Sequence, residues 1–87
     1  MIKKTAMAGT LESNDVLVEV FPSKGKREVE IESIVMEQFG QEITDVVNAT
    51  LDQLNANDLI IKLNDKGALN YTIKARVETA VKRGSEQ

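Results

Sequence analysis

A serine set between acidic residues is the first candidate for chemistry in this chain of 87 residues. Ser13 lies in the polar stretch 9–16, with Glu12 immediately before it and Asp15 two residues after it. A serine hydroxyl can act as a nucleophile or accept a covalent group, and paired carboxylates can exchange protons. Serine, asparagine and aspartate are also ordinary turn residues, so these residue types alone indicate no more than a turn.

The amino-acid inventory removes most reactions in which Ser13 would be the catalyst. The sequence contains no histidine and no cysteine, which excludes a serine–histidine triad, a thiolate nucleophile and the common zinc sites. A pairing of Ser13 with Lys3 or Lys4 stays open, and so does acid–base work by Glu12 and Asp15. Surface solvation is the commoner role of such residues, so a small hydrolase is a weak hypothesis. No calcium-loop pattern is present, and we predict no metal site.

The charge balance argues against a nucleic-acid partner. The chain carries 11 basic and 14 acidic residues, with a net charge of −3 at pH 7, and only 3% of its residues are aromatic. Binding of phosphate backbones needs clustered basic charge, and binding of single strands needs aromatic platforms. No apolar stretch reaches the length of a membrane span, and the run after Lys4 is too short for a signal peptide. We expect no membrane association and a cytoplasmic location.

Two alternating segments predict strands after the Ser13 turn. Residues 15–21 place three valines on one side, and residues 27–32 place Val29 and Ile31 opposite three glutamates, as in a sheet with one solvated face. Pro22 opens the loop between them, whose basic residues we expect to form a solvated tip: Lys24, Lys26 and Arg27. The two strands are therefore predicted to pair as a hairpin. Residues 5–11 predict a further short edge strand.

The period then changes from two residues to three and four, which predicts a helix over about residues 34–55. Ser33 is the expected N-cap, Glu37 follows in the first turn, and Gly40 is expected to bend or break the helix. Its apolar stripe is predicted to face the core: Ile34, Val35, Phe39, Ile43, Val46, Val47, Thr50, Leu51 and Leu54.

A strand over residues 59–63 and a second helix over residues 68–83 complete the pattern, joined by a polar turn at 64–67. The second helix has its own predicted stripe: Leu69, Ile73, Val77, Ala80 and Val81. Residues 71–73 favour extended structure, so a start as strand stays open. Gly84 is the expected helix stop, and residues 85–87 are the expected disordered tail.

The element order β-β-β-α-β-α predicts the fold class. Amphipathic strands and helices each need a covering layer, so we expect an α+β fold, a small two-layer sandwich. Its sheet is mostly antiparallel, with two helices on one face. No linker divides the chain, and we predict one domain over residues 1–87.

Motifs in three separated parts of the chain carry a resemblance to a known family. They are Ala8-Gly9-Thr10-Leu11-Glu12-Ser13-x-Asp15-Val16, then Glu37-Gln38-Phe39-Gly40, then Asp65-Lys66-Gly67-Ala68-Leu69 followed by Ala75-Arg76-Val77-Glu78. In order and spacing the chain resembles the acyl carrier protein, or gamma subunit, of citrate lyase. The family often has glycine after the serine where this chain has Asn14, and both residues suit a turn.

The resemblance implies a non-catalytic carrier of a covalent group. In that family the serine matching Ser13 is joined by a phosphodiester to 2′-(5″-triphosphoribosyl)-3′-dephospho-coenzyme A, whose thiol holds an acetyl group. The alpha subunit exchanges acetyl for citryl, and the beta subunit cleaves the citryl thioester. A transferase attaches the group, and we hypothesise that Glu12, Asn14 and Asp15 contact partner proteins. Arg76 could meet a phosphate of the group, although a surface ion pair is the more ordinary role.

Two other readings stay open. The carrier subunit of a malonate-decarboxylase-type complex is a functional relative of the same kind. An unmodified protein–protein adaptor would use Ser13 only as a turn residue. Replacement of Ser13 separates a carrier from an adaptor, because only the carrier loses function without losing its fold.

Overall fold

Extended and helical segments follow one another in the predicted order in the computed structural model, which describes residues 1–86. The elements are β1 (Ala6–Gly9), β2 (Val16–Pro22), β3 (Arg27–Ser33), α1 (Met36–Gln53), β4 (Leu59–Asp65) and α2 (Asn70–Ser85). The α+β class, the mostly antiparallel sheet and the two helices are confirmed. The last segment begins directly as helix at Asn70, so the open question of a strand start is settled.

The four strands form one sheet in the order β1-β2-β4-β3. Strand β2 pairs antiparallel with β1 and β4, whereas β3 pairs parallel with β4. The predicted hairpin of β2 with β3 is therefore wrong, because β4 lies between them. A parallel pair needs a long crossover connection, and helix α1 supplies it between β3 and β4. Strand alternation identifies the buried face of each strand but contains no information about its neighbours.

One face of the sheet and the inner faces of both helices enclose an aliphatic core. Val16, Val18 and Val20 of β2 are fully buried, as are Leu59 and Ile61 of β4. The helices contribute Ile43, Val47, Leu51, Ile73, Val77, Ala80 and Val81. Within the described residues, neither helix is long and apolar enough to cross a membrane.

The start of α1 differs from the prediction. The helix spans Met36–Gln53, and Val35 occupies its N-cap position without a side-chain cap. The Ser33 hydroxyl instead accepts a hydrogen bond from the Val35 amide at 3.1 Å and donates one to Asp65 Oδ2 at 2.8 Å. The helix runs unbroken through Gly40, which is buried, so the predicted break does not occur.

The end of α2 also differs. Gly84 does not stop the helix but lies inside it, where a Cβ would stand 3.0 Å from Val20 Cγ2. Close approach of helix and sheet is thus the reason for a glycine at this position. Ser85 is the last helical residue, so its assignment to a disordered tail is wrong. Residue 87 of that predicted tail lies outside the described residues.

Arg27 does not form part of a solvated loop tip, as its sequence context had suggested. Its Nη1 donates to Asp52 Oδ1 at 2.8 Å, its Nη2 to Asn57 Oδ1 at 2.9 Å and its Nε to the Ala56 carbonyl at 3.2 Å. The guanidinium therefore ties the start of β3 to the end of α1. Its positive charge also suits the carbonyl end of that helix.

Candidate functional site

Three connections meet at one end of the sheet. Strand β2 begins there at Val16, which is paired with Asp65 at the end of β4, and Asp65 is paired in turn with Ser33 at the end of β3. The connection from β1 to β2, residues 10–15, contains Ser13. The other two connections are residues 34–35 before α1 and residues 66–69 before α2. The site is therefore built from segments that are distant in sequence.

Ser13 stands at the corner of a tight turn, which we call the serine turn (residues 10–15). The Asp15 amide donates to the Glu12 carbonyl at 3.1 Å, which makes Ser13 and Asn14 the two central residues. Asn14 has φ +66°, as the second central residue of a type II turn requires. Ser13 is exposed, and no residue of 1–86 forms a hydrogen bond with its hydroxyl. The hydroxyl is free for a covalent partner.

Gly9 is required at the entrance to the serine turn. Its φ is +91°, and a Cβ built there would overlap the carbonyl oxygen of Val16 at 1.8 Å. No other residue type fits both the backbone conformation and this close approach. Gly9 therefore lets the chain turn before Ser13.

Asp15 is the anchor of the serine turn. Arg76 of α2 grips its carboxylate with two hydrogen bonds, Nε to Oδ1 at 3.0 Å and Nη2 to Oδ2 at 3.1 Å. Thr10 Oγ1 donates to Oδ2 at 2.7 Å, and the Val16 amide donates to Oδ1 at 2.8 Å. Only 13% of the Asp15 side chain is exposed. The serine turn is thus fixed to the second helix by a charge-assisted fork.

The same contacts hold Asp15 in its ionised form. Its pKa is lowered from 3.8 to about 2, and the hydrogen bond from Arg76 is the largest cause. Burial acts in the opposite direction, while the hydrogen bonds from Thr10 and the Val16 amide lower the pKa further. Of the two roles considered for Arg76, a contact with a phosphate or an ion pair within the chain, the ion pair is the one observed.

A second set of contacts fixes the other side of the serine turn. The Asn14 amide donates to the Lys66 carbonyl at 2.8 Å, and the Lys66 amide donates to the Asp15 carbonyl at 2.9 Å. Asp65, fully buried, holds this segment in place: its Oδ1 accepts from the Ala68 amide at 2.9 Å. From the sequence, Asp65 is predicted only to lie in a polar turn. Its position two residues beyond Leu63, on the buried side of β4, was the signal that could have identified it.

An apolar groove of about 270 Å³ begins beside the serine turn. We call it the α1–α2 groove; its apolar lining is Val35, Phe39, Ile43, Gly67, Ala68 and Leu69. Phe39 is 49% exposed and Leu69 is 58% exposed, and Ile34 nearby is 66% exposed. All three were predicted to face the core, and that prediction is wrong. Ile34 and Leu69 lie just before the two helices, and Phe39 lies in the first turn of α1.

The remaining predicted residues are distributed as follows. Glu12 and Asn14 are exposed on the serine turn, where a partner can reach them. Both carboxylate oxygens of Asp15 are engaged within the chain, so its role in the fold is clear, and its predicted contact with a partner stays a prediction. Among residues 1–86, no three acidic side chains are arranged to hold a metal ion.

Comparison with known proteins gives a consistent result across the chain. Residues 3–84 match the acyl carrier (ACP) family model described as "Malonate decarboxylase delta subunit (MdcD)". A citrate lyase acyl carrier protein of Clostridium perfringens is 51% identical over 98% of this chain and 85% of its own length. One of Treponema denticola is 45% identical over 99% and 98%, and one of Halothermothrix orenii is 40% identical over 98% and 90%.

A solved structure has a similar fold. The crystal structure of a Pseudomonas malonate decarboxylase hetero-tetramer in complex with malonate contains a chain that superimposes with a TM-score of 0.82. The match covers 93% of this chain and 84% of that one, at 21% sequence identity. At this identity the likeness concerns the fold alone. The same architecture thus occurs inside a multi-subunit complex.

Proposed function

Because this chain belongs to the family of citrate lyase acyl carrier proteins, we propose that Ser13 carries the covalent group through which the complex handles its acyl substrates. The chain is a carrier subunit of a multi-subunit complex. The group proposed for Ser13 is the one derived from 2′-(5″-triphosphoribosyl)-3′-dephospho-coenzyme A. Its terminal thiol supplies the thioester, which this cysteine-free chain has no residue of its own to form.

The geometry of the serine turn is the observation that carries this proposal. Ser13 is exposed at the turn corner, while Arg76 holds the turn from one side and Lys66 from the other. A bulky group can therefore be added at the hydroxyl without breaking any contact of the fold. To form a phosphodiester, Ser13 Oγ bonds to the phosphorus of the donor's triphosphate that is attached to the ribose. The two outer phosphates leave as diphosphate. The hydroxyl proton passes to the attaching transferase, since this chain has no histidine.

The proposed partners are the alpha (acyl transferase) and beta (citryl lyase) subunits of citrate lyase. A tethered thioester reaches both active sites at high effective concentration, so the carrier needs mobility of the group more than a catalytic residue. Glu12 and Asn14 are exposed beside Ser13 and are the proposed contacts with the transferase. An acidic carrier surface favours fast encounter with basic partner surfaces. The single carrier domain over residues 1–87 and the cytoplasmic location expected from the sequence belong to this proposal.

A malonate-decarboxylase-type carrier is the second candidate, because the matching family model bears that description and the solved neighbour comes from such a complex. The identities of 40–51% to citrate lyase carriers favour the first candidate. The two differ in the substrate of the complex. A complex reconstituted with this chain that cleaves citrate and leaves malonate unchanged supports the first candidate, and the reverse result supports the second.

Replacement of Ser13 tests the attachment. We expect Ser13→Ala to fold normally, to gain no mass when it is produced together with the transferase, and to leave the complex inactive. Ser23→Ala is the matched control, since Ser23 lies in a loop at the opposite end of β2. Ser23→Ala should be modified like the unaltered chain. Full complex activity with Ser13→Ala would instead indicate an unmodified adaptor.

A further inference from the structure

We propose that the α1–α2 groove is the resting site of the acylated end of the group on Ser13. This inference rests on the proposed function, and it assigns a role to an apolar surface that the carrier chemistry at the serine turn leaves unexplained. In the resting state the thioester lies against Phe39 and Leu69, shielded from water. It leaves the groove when a partner subunit takes it up.

The groove is continuous with the point of attachment. Asn14, the neighbour of Ser13, has its Oδ1 3.7 Å from the position that a Cβ of Gly67 would occupy. Gly67 is also part of the groove wall. A group that extends from Ser13 past Asn14 therefore reaches the groove within one residue of its point of attachment. A larger groove of about 470 Å³ lies beside residues 22–25, at the far end of β2, and has no such connection.

The chemistry along this path suits an anionic link followed by a less polar end. Lys66 lies next to the serine turn, and among residues 1–86 no carboxylate lies within 4.0 Å of its ammonium group. It is available to the phosphodiester on Ser13. Beyond Gly67 the lining becomes apolar, from Ala68 and Leu69 to Phe39. The anionic phosphodiester and the acetylated end, at opposite ends of the attached group, can thus each meet a surface of matching polarity.

Without a bound group, exposure of the apolar groove lining to water costs free energy. Phe39 and Leu69 leave about half of their side chains in water, although both were available for burial in an aliphatic core. Contiguous apolar surface on a small protein commonly marks a binding site. The single charged residue of the lining, Glu42, is exposed at the rim, where its Oε2 accepts a hydrogen bond from Asn70 Nδ2 at 2.9 Å. The interior of the groove therefore favours an uncharged acyl group.

Nuclear magnetic resonance of the full chain with and without the attached group provides the first test. The mass of each sample is measured beforehand, and absence of added mass on Ser13 would overturn both the carrier function and this inference. In the modified, acetylated chain we expect amide shifts at residues 35, 39, 43 and 67–69 in addition to the serine turn. With a ¹³C-labelled acetyl group, we expect contacts from its methyl to the Phe39 ring. Shifts confined to residues 10–16 would overturn the inference while leaving the carrier function intact.

The absence of cysteine gives a second, independent readout. In the acetylated chain the only thioester is that of the attached group, so its cleavage by hydroxylamine, which forms acetohydroxamate and frees the thiol, reports the exposure of that end. We expect the reaction to be about fivefold slower than in Phe39→Ser, as for a thioester docked about 80% of the time. Tyr71→Ser is the matched control, since Tyr71 is an aromatic residue 73% exposed outside the groove, and it should keep the slow reaction.

The outcomes separate the possible occupants of the groove. Equal rates of thioester cleavage in the unaltered chain and Phe39→Ser would overturn the proposal. Leu69→Ser, which also changes an exposed residue, checks that the result does not depend on one variant. Shifts in the groove that depend on protein concentration would assign it to a second copy of the chain. Shifts that arise only after a partner subunit is added would assign it to that partner. Either result contradicts the resting site.

Discussion

One loop lies at each end of strand β2, and each contains an exposed or half-exposed serine. A glycine with positive φ lies directly before the first loop (Gly9) and within the second (Gly25). The serine turn precedes Val16, and the loop over residues 23–26, which we call the distal loop, follows Pro22. Both loops also border a groove. Ser13 and Ser23 thus occupy similar local settings, and residue types alone give little reason to prefer one for modification.

The difference between the loops lies in what holds them. The serine turn is fixed by the two-pronged Arg76–Asp15 contact and by two backbone hydrogen bonds to Lys66. The distal loop is held by longer contacts to Asp58: the Gly25 amide donates to Oδ1 at 3.1 Å and the Ser23 amide donates to the carbonyl at 3.4 Å. A rigid frame around a free hydroxyl is the property that distinguishes an attachment site from an ordinary loop.

The two glycines should show the largest contrast. Gly9→Ala places a Cβ against the Val16 carbonyl, and we expect the free energy of unfolding to fall by about 3 kcal/mol. In Gly25→Ala nothing lies within 4 Å of the new Cβ, so only the strain of a positive φ of about 1 kcal/mol remains. Urea unfolding followed by circular dichroism measures both. Equal losses of unfolding free energy in the two variants would contradict the claim that the serine turn is held more tightly than the distal loop.

The second-largest difference in unfolding free energy is expected between variants of Asp15 and Asp58. Asp15→Asn removes the charge that Arg76 grips, and we expect a loss of about 2 kcal/mol in unfolding free energy. Asp58→Asn changes only the side-chain contact with the Gly25 amide, because the contact with Ser23 is made by the Asp58 backbone carbonyl. It should cost about 0.5 kcal/mol. The same unfolding experiment at pH 7 compares them. A larger loss for Asp58→Asn would show that the distal loop is the better-fixed one.

The Asp15 contribution should also depend on pH. The folded-state pKa is about 2 against an ordinary 3.8, so the unfolded chain takes up this proton first as the pH falls. The stabilisation is therefore complete above about pH 5 and is lost as the pH falls towards 2. We expect the stability difference between the unaltered chain and Asp15→Asn to be full at pH 6 and much smaller at pH 2.5. A difference that is constant over this range would exclude an ionised anchor.

Asn14 should show the smallest effect. Glycine adopts the φ of +66° found at Asn14 without steric cost, so Asn14→Gly should change the unfolding free energy by no more than about 0.5 kcal/mol. Asn14→Ala should cost about 1 kcal/mol, because its Cβ disfavours this conformation. Thermal unfolding of the two variants checks this order. If Asn14→Ala were the more stable variant, a type II turn would be the wrong description of the serine turn.

Local features were predictable from the sequence. The alternation of Val16, Val18 and Val20 identified the buried face of β2, and the three- and four-residue period identified both helices. These signals depend only on neighbours along the chain. The resemblance of the Gly9–Val16 stretch led to Ser13, which residue types alone could not distinguish from Ser23.

Contacts between distant segments were not predictable in the same way. The insertion of β4 between β2 and β3 depends on the pairing of strands 25 or more residues apart, for which alternation provides no information. The Arg76–Asp15 fork joins residues 61 positions apart. Each of the two, taken alone, is a charged residue of a type that is common on protein surfaces. Phe39 and Leu69 follow the helical period but are exposed at the starts of α1 and α2, because the period does not show which turns of a helix the rest of the fold covers.

Fragmentation of one peptide tests the central claim most directly. Trypsin cleaves after Lys4 and Lys24, so a single peptide over residues 5–24 contains both Ser13 and Ser23. The chain is isolated from its own complex, and mass spectrometry locates any added group within this peptide. We predict one coenzyme-A-derived group on Ser13 and none on Ser23. A group on Ser23 or on Thr10, or an unmodified peptide from an active complex, would contradict the assignment of Ser13 as the attachment site.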